Sequence, residues 1–454
     1  MFSRTRKRPP AEIIEPTLPP PPTIVAERDD ADFIDLKVRL HQRLITDEID
    51  LSMIERMPRD QFEHEIGDII RVMLKRESTV LGDDDKARLV EEVLHELLGL
   101  GPLEPLLKDH SVNDIIVTTF NQVCVERGGK IEMTPVRFRD DAHLIRIINK
   151  MVVAVGRRID ESSPIVDARL PDGSRVNAVI PPVAVDGPLL SIRKFAKIPF
   201  DLARLVAVGT ITPEIQVVLG AMVRGKLNIL ISGGTGSGKT TMLNAMSAVI
   251  DNRETIVTIE DAAELQLQQP IVRRMETRPP NAEGRGHVDQ RQLVVTALRM
   301  RPNRIIVGEV RGGEAFDMLQ AMNTGHEGSM STIHANTPRD ALARLEQMIG
   351  MAEIDMAPRA VRSQVASAIH VVIQLTRGAD GRRRLISIQE VTGMEGDVIT
   401  MNEIFRFRRT STDQDGRIHG YYESTGIRPR FAEELATQNL VLPTNIFAPN
   451  RRLE

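Results

Sequence analysis

The chain has 454 residues, and its 59 Lys and Arg against 63 Asp and Glu give a formal net charge of −4, a balance that opposes a surface devoted to nucleic acid. Aromatic residues make up 3 %, with no Trp and two Tyr, so base stacking along a single strand has few platforms. Cys124 is the single cysteine, which excludes a disulfide framework or a cysteine zinc module within one chain.

No run of roughly 18 apolar residues and no charged, apolar, then small-residue start occurs. The expectation is a protein made and kept in the cytoplasm without a membrane-spanning helix of its own. Length predicts roughly two to four domains. Residues 1–30 carry Arg4, Arg6, Lys7 and Arg8 and the run Pro19 to Pro22; with little to bury, they read as a disordered tail, either merely solvated or touching an anionic partner.

From 31 to 107 the period is helical. Phe33, Leu36, Leu40 and Leu44 share one face, and Phe62, Ile66, Ile69, Ile70, Met73 and Leu74 another. Leu89, Val90, Val93, Leu94, Leu97 and Leu98 form a third stripe behind Asp83, Asp84 and Asp85, acids that suit a helix N-terminus. Three amphipathic helices predict a small bundle, serving either as a partner-docking module or simply as packing. Between 108 and 200 the period shortens: Asn113–Val117, Val123–Glu126, Gly173–Ile180 and Leu189–Phe195 read as strands and Ala142–Val155 as a helix, a mixed α+β domain. Residues 201–215 read as a linker.

The strongest stretch follows. Gly233, Gly234, Thr235, Gly236, Ser237, Gly238, Lys239 and Thr240 fit G-x-x-x-x-G-K-[ST] at every position. An apolar run, Asn228 to Ser232, precedes them as a strand, and Met242, Leu243, Met246, Val249 and Ile250 follow at helical spacing. The glycines let successive N–H groups turn inward, and the helix end adds its own unpaired N–H groups, so the loop is an anion cradle reaching to Thr241. Lys239 is expected at the β/γ-phosphates of a nucleotide and the Thr240 hydroxyl at Mg²⁺.

Three later stretches point to what is done with the phosphate. Thr255–Ile259 reads as a strand ending in Glu260 and Asp261, with Glu264 close behind. Carboxylates at a strand end either hold Mg²⁺ or polarise water, or are a polar strand exit. Arg304–Val307 is an apolar strand running into Gly308 and Glu309. Glycine stands where an Asp often sits, leaving Glu309 as the candidate general base or metal contact. Residues 325–336 read as a loop and a strand ending in His334, which either senses the γ-phosphate or is a hydrogen-bonded core histidine; no spacing partner makes it a metal ligand.

The order of these stretches, phosphate loop, acidic box 260–264, Gly308-Glu309 and the histidine box 325–336, resembles the secretion-ATPase superfamily, the GspE, PulE and VirB type of type II and type IV secretion and type IV pili. Leu100–Leu107, Arg158–Pro164, Asp167–Arg175 and Glu309–Ala315 look like its tight-adherence (Tad) pilus branch, the CpaF type. The likeness spans roughly residues 85 to 435; Asn303 departs from it, where an Asp is common. It implies an α/β fold: a RecA-like P-loop ATPase domain over 216–435, preceded by a mixed α+β (PAS-like) domain and the helical bundle, with 436–454 as a C-terminal tail. It also implies ATP and Mg²⁺ as cofactors, a homo-hexamer, an inner-membrane platform protein as partner, and peripheral association with that membrane. In such a ring one subunit's α+β domain supplies arginines to its neighbour's phosphates, a role that maps onto Arg175 and Arg193, and more weakly Arg169. A guanidinium suits charge spreading over the γ-phosphoryl oxygens; each arginine also reads as a solvated strand-edge residue. Two rival readings stand beside the motor: a nucleic-acid motor on the same core, and a nucleotide switch that does not hydrolyse.

Overall fold

The computed structural model describes residues 29–48, 58–76, 81–195, 200–278, 280, 285–352 and 354–453. The basic, proline-rich stretch 1–28 lies outside them. The chain divides into two compact units, one of residues 1–108 and 136–150, the other of 109–135 and 151–454.

In the first unit, α1 (Asp29–Arg43), α2 (Arg59–Arg76) and α3 (Asp83–Leu98) meet along the apolar stripes the sequence shows. Leu36, Leu40 and Leu44, Phe62, Ile66, Ile70 and Met73, and Leu89, Val90 and Val93 are buried in one cluster. The three aspartates occupy the first turn of α3, where carboxylates face the helix's unpaired N–H groups. The short α4 (Glu104–Lys108) follows. Residues 136–150, which the sequence reading assigned to the α+β domain, group with these helices and include the first part of α5 (Asp141–Ala154).

The second unit holds two sheets. The smaller is antiparallel throughout and contains β1 (Val112–Thr119), β2 (Gln122–Arg127), β3 (Lys130–Met133), β4 (Ile165–Arg169), β5 (Arg175–Val179) and β6 (Leu189–Arg193), ordered β3-β2-β1-β6-β5-β4. Both edges, β3 and β4, were missed by the sequence reading; no residue of β3 is buried, so there is no alternation to read. The stretch 201–215 is no extended linker: α6 (Leu202–Ala207) and the start of α7 (Pro213–Arg224) lie in it, and Leu202, Leu205 and Ile211 are buried in the core.

The larger sheet begins with β7 (Ile229–Gly233), followed by α8 (Lys239–Ser247), β8 (Ile256–Glu260), β9 (Val272–Glu276), α9 (Gln290–Ala297), β10 (Arg304–Val310), α10 (Glu314–Asn323) and β11 (Met330–Ile333). Then come α11 (Pro338–Gly350), α12 (Pro358–Ala368), β12 (Val371–Arg377), β13 (Arg383–Glu395), β14 (Val398–Thr412), β15 (Ile418–Ser424), α13 (Phe431–Thr437) and β16 (Arg452–Leu453). The order is β16-β15-β14-β13-β12-β7-β11-β10-β8-β9. From β12 to β9 neighbours run parallel; from β12 to β16 they run antiparallel. The inner strands β7, β8, β10 and β11 are buried along nearly their whole length, as a parallel sheet covered on both faces requires, whereas the edge strand β9 is not. On β7, Ile229 and Ile231 enter one core cluster and Leu230 the other, as the two-residue strand period demands.

The stretch expected to be a C-terminal tail packs instead. Leu442, Ile446, Phe447 and Leu453 are buried in the same cluster as β7, and Phe447 stacks on Phe405 with ring centres 5.6 Å apart.

Candidate active site

β7 delivers the chain into the glycine loop, and α8 starts at Lys239. Gly236 and Gly238 take left-handed backbone, with φ of 68° and 95°, which an L side chain resists. At Gly233 the restriction is space: a β-carbon there would lie 2.4 Å from Ser237 Oγ and 2.7 Å from the Leu375 carbonyl oxygen. Lys239 Nζ donates to the carbonyls of Gly233 and Gly234 at 3.1 Å each. Burial pushes the ammonium below the usual lysine range, opposed by the nearby Glu309 carboxylate, so its charge is strengthened by an anion that arrives.

Parallel pairing of β8 with β10 sets Ile259 opposite Val307, so the two acidic strand ends meet. Glu260 is buried, 3 % exposed. Its Oε2 accepts the N–H groups of Glu264 at 2.7 Å and Leu265 at 2.9 Å, while its Oε1 is buried without a hydrogen bond. Burial raises its carboxyl above the usual range. Asp261 accepts from Gln290 Nε2 at 3.0 Å and from Arg311 Nη1 at 2.5 Å. The same guanidinium donates to Glu309 Oε2 through Nη2 at 2.6 Å and Nε at 3.1 Å. Arg311 therefore bridges two acids that lie far apart in sequence, a role that its place in the stretch Glu309–Ala315 does not announce.

Glu264 pairs with Arg175 Nη2 at 3.2 Å, and that nitrogen also donates to the Ala262 carbonyl at 3.0 Å. Arg193 is held by Asp114, Nε to Oδ1 at 3.0 Å. Arg175 and Arg193 line a cavity of about 170 Å³ together with Thr240, Thr241, Phe195 and Phe200 of the same chain. Arg169 is bound to Glu276 at 2.9 Å and to the Ala263 carbonyl. His334, half-buried just past β11, makes no hydrogen bond or ion pair among the described residues; nothing here ties it to the phosphate loop. Asn303 joins the starts of β8 and β10, its Oδ1 accepting the Thr255 N–H at 2.8 Å.

Two arginines escaped the sequence reading. β12 pairs beside β7 with Leu375 opposite Gly233, which brings Arg377 to the loop; Arg383 on β13 donates Nε to the Gly236 carbonyl at 3.0 Å. Their only signal in sequence was basic residues around a turn.

No group of three or more His, Cys, Asp or Glu able to hold a metal occurs among the described residues. The oxygen donors at hand, Thr240 Oγ1 and the carboxylates of Asp261 and Glu309, are of the hard kind that Mg²⁺ takes, and one or two carboxylates suit an ion brought in with nucleotide phosphates. The residues fit that ion as a companion of the nucleotide.

A strand, phosphate loop and helix with acids on adjacent parallel strand ends define a P-loop nucleotide enzyme. The profile of the family described as "Type II/IV secretion system protein" matches residues 96–427, and the chain belongs to that family. It is 39 % identical over 351 residues to a provisionally named conjugal transfer protein of Mycobacterium tuberculosis (strain H37Rv), covering 76 % of this chain and 99 % of that one. It is 32 % identical over 340 residues to the type IV secretion system protein VirB11 of Bartonella quintana, covering 66 % and 93 %. The solved VirB11 ATPase of Brucella suis aligns with 27 % identity and a TM-score of 0.34 over 63 % of this chain and 94 % of that one.

Proposed function

We propose that this chain is a cytoplasmic, Mg²⁺-dependent ATPase motor that works as a homo-hexamer on a platform protein of an inner-membrane machine, a conjugal or secretion apparatus or a Tad-like pilus. The observation that carries the reading is the phosphate loop beside the paired acidic ends of β8 and β10. Lys239 exchanges the carbonyls of Gly233 and Gly234 for β/γ-phosphate oxygens, while the loop N–H groups from Gly234 to Thr241 cradle the anion. Thr240, with the carboxylates of Asp261 and Glu309, would hold Mg²⁺, which would supply neutralisation of charge on the phosphates. Glu309, released from Arg311, orients water for in-line attack, and Glu260 and Asp261 set the polar wall around it.

Arg175 is proposed to serve the phosphates. Arg193 shares that role, since both arginines line the cavity that Thr240 and Thr241 also line, and the family resemblance implies that such arginines serve a neighbouring subunit's phosphates. No helix among the described residues is long and apolar enough to cross a membrane.

The test is Glu309→Gln, with the rate per chain measured against protein concentration for the parent. The variant is expected to bind ATP and hydrolyse it at least about tenfold slower, a loss of roughly 1.4 kcal/mol or more in transition-state stabilisation. Normal turnover would remove Glu309 from the mechanism. A parent rate that climbs steeply with concentration would assign the arginines to a neighbour; a flat, finite rate from dissociated chains would keep them within one; no turnover under any condition would favour a nucleotide switch.

A further inference from the structure

The first unit contains a cavity of about 860 Å³ that the nucleotide chemistry does not use. It lies between α1 and the turn after it, Glu96 on α3, and residues 137–150. Its charge is opposite to that of the whole chain. Among the described residues, seven lysines and arginines line it against one carboxylate, Glu96, in a chain whose net charge is −4.

That carboxylate is already engaged. Glu96 accepts from or pairs with His143 Nε2 at 2.9 Å and Lys37 Nζ at 3.5 Å, so it cannot neutralise the rest. Arg139 is paired with Asp140 at 2.7 Å, and Lys150 donates to the carbonyls of Glu96 and Leu97 at 3.2 and 3.0 Å. Arg39, Arg146 and His41 are different. Among the described residues their side chains make no hydrogen bond and no ion pair, although all three line the cavity. Two guanidiniums and an imidazole line one space with no acid in hydrogen-bond or ion-pair contact among the described residues, Glu96 reaching His41 and Asp140 reaching Arg146 only at longer range, and such a surplus of donors suits an anion.

The body of the ligand follows from the walls. Ile34, Val38, Phe138 and Ile147 give the cavity an apolar side, and its size falls in the range of pockets that enclose whole organic molecules. A bare phosphate would leave most of it to water.

We propose that this cavity binds an organic phosphate, its phosphoryl group held by Arg39, Arg146 and His41 and its apolar or aromatic body laid against Ile34, Val38, Phe138 and Ile147. The same chemistry is offered by a soluble nucleoside phosphate and by the headgroup end of an anionic phospholipid. The site gives the first unit a ligand of its own, separate from the phosphate loop.

The chain's lack of tryptophan supplies a local probe. Gln42 lines the cavity and is exposed, so Gln42→Trp places a single indole at its mouth. The full-length Gln42→Trp, Lys239→Ala chain, with its phosphate loop disabled, is titrated separately with adenosine monophosphate, short-chain phosphatidylglycerol and inorganic phosphate. A saturable emission change is expected with one of the two organic phosphates, and which one responds identifies the source. Inorganic phosphate is expected to bind at least tenfold more weakly. Adding Arg39→Gln and Arg146→Gln is expected to weaken the response at least tenfold, while far-ultraviolet circular dichroism and the melting temperature stay those of the parent. The proposal is overturned by silence toward both organic phosphates at millimolar concentration, by inorganic phosphate binding equally well, or by a response indifferent to the two arginines. Because Lys239 is already replaced, none of these outcomes depends on the ATPase reading.

Discussion

Gly325 and Gly328 both lie in the histidine box and both have left-handed backbone, φ of 94° and 80°, yet alanine at the two positions meets different surroundings. At Gly325 a β-carbon would have nothing within 4 Å; at Gly328 it would lie 2.5 Å from Arg304 Nη1, 2.9 Å from Arg304 Cζ and 3.0 Å from Lys226 Cα. Arg304 is fully buried, grips Glu254 at 2.8 and 2.7 Å, and donates Nη1 to the Val223 carbonyl at 2.8 Å. Either alanine costs about 1–2 kcal/mol for its backbone. Gly328→Ala must also displace a charge-assisted guanidinium contact, about 1.5–3 kcal/mol more. Gly325→Ala is therefore expected to lose about 1–2 kcal/mol and Gly328→Ala about 2.5–5 kcal/mol. With roughly 2–4 °C per kcal/mol in a domain of this class, the second should melt at least about 5 °C below the parent in scanning calorimetry. At a temperature where both variants are folded, the kcat of each should stay near that of the parent, because neither glycine faces the phosphate loop. Equal melting temperatures for the two variants would refute the assignment of Gly328 as the spacer for Arg304.

Glu260→Gln separates stability from chemistry at the strand end. A carboxyl raised by burial favours folding while protonated, below its unfolded value, and loses that contribution as pH rises through its folded value. The Gln variant should thus match or exceed the parent's stability at pH 7, lose that advantage on acidification, and hydrolyse ATP more slowly; denaturant melts at two pH values, read as variant minus parent, check it. Asp380→Asn works the other way. Asp380 holds Arg384 at 2.9 and 2.7 Å, with side chains 4 % and 7 % exposed, and its carboxyl is depressed well below the usual range, chiefly by Arg384. Its contribution is complete above the ordinary carboxylate value and fades as pH falls through the depressed one. The variant should cost about 3 kcal/mol or more at pH 7, with the gap to the parent narrowing in strong acid; a gap that does not narrow would mean the pair is not what stabilises the turn.

What could be read from the sequence was what local chemistry determines. Ile229 to Ile231 are fully buried and read as a strand because nothing polar interrupts them; the glycine pattern after them has few other physical uses. β13 and β14, 13 and 15 residues long, were illegible because much of their charge is answered across strands: Glu403 by the Ser387 hydroxyl at 2.9 Å, Arg406 by Glu423 at 2.8 Å. A run such as Arg406 to Arg409 looks solvated until its partner strand is known. The cavity of the first unit was hidden for a related reason, since its cations come from two segments far apart in sequence, 37–43 and 137–150.

The acidic box and the glycine of Gly308-Glu309 were read as two features, one of them a departure in which glycine replaces an acid. They are one arrangement. With Ile259 opposite Val307, Glu260 comes level with Gly308, and a β-carbon on Gly308 would lie 2.9 Å from Glu260 Cγ. The glycine is empty so that Glu260 can lie across it and take the N–H groups of Glu264 and Leu265. A side chain at 308 would push Glu260 off those donors, and an aspartate would set a second carboxylate against one that already lacks solvent. The acid missing from β10 has been supplied by β8, and Arg311, spanning Asp261 and Glu309, ties the two strand ends into a single polar wall facing the phosphate loop.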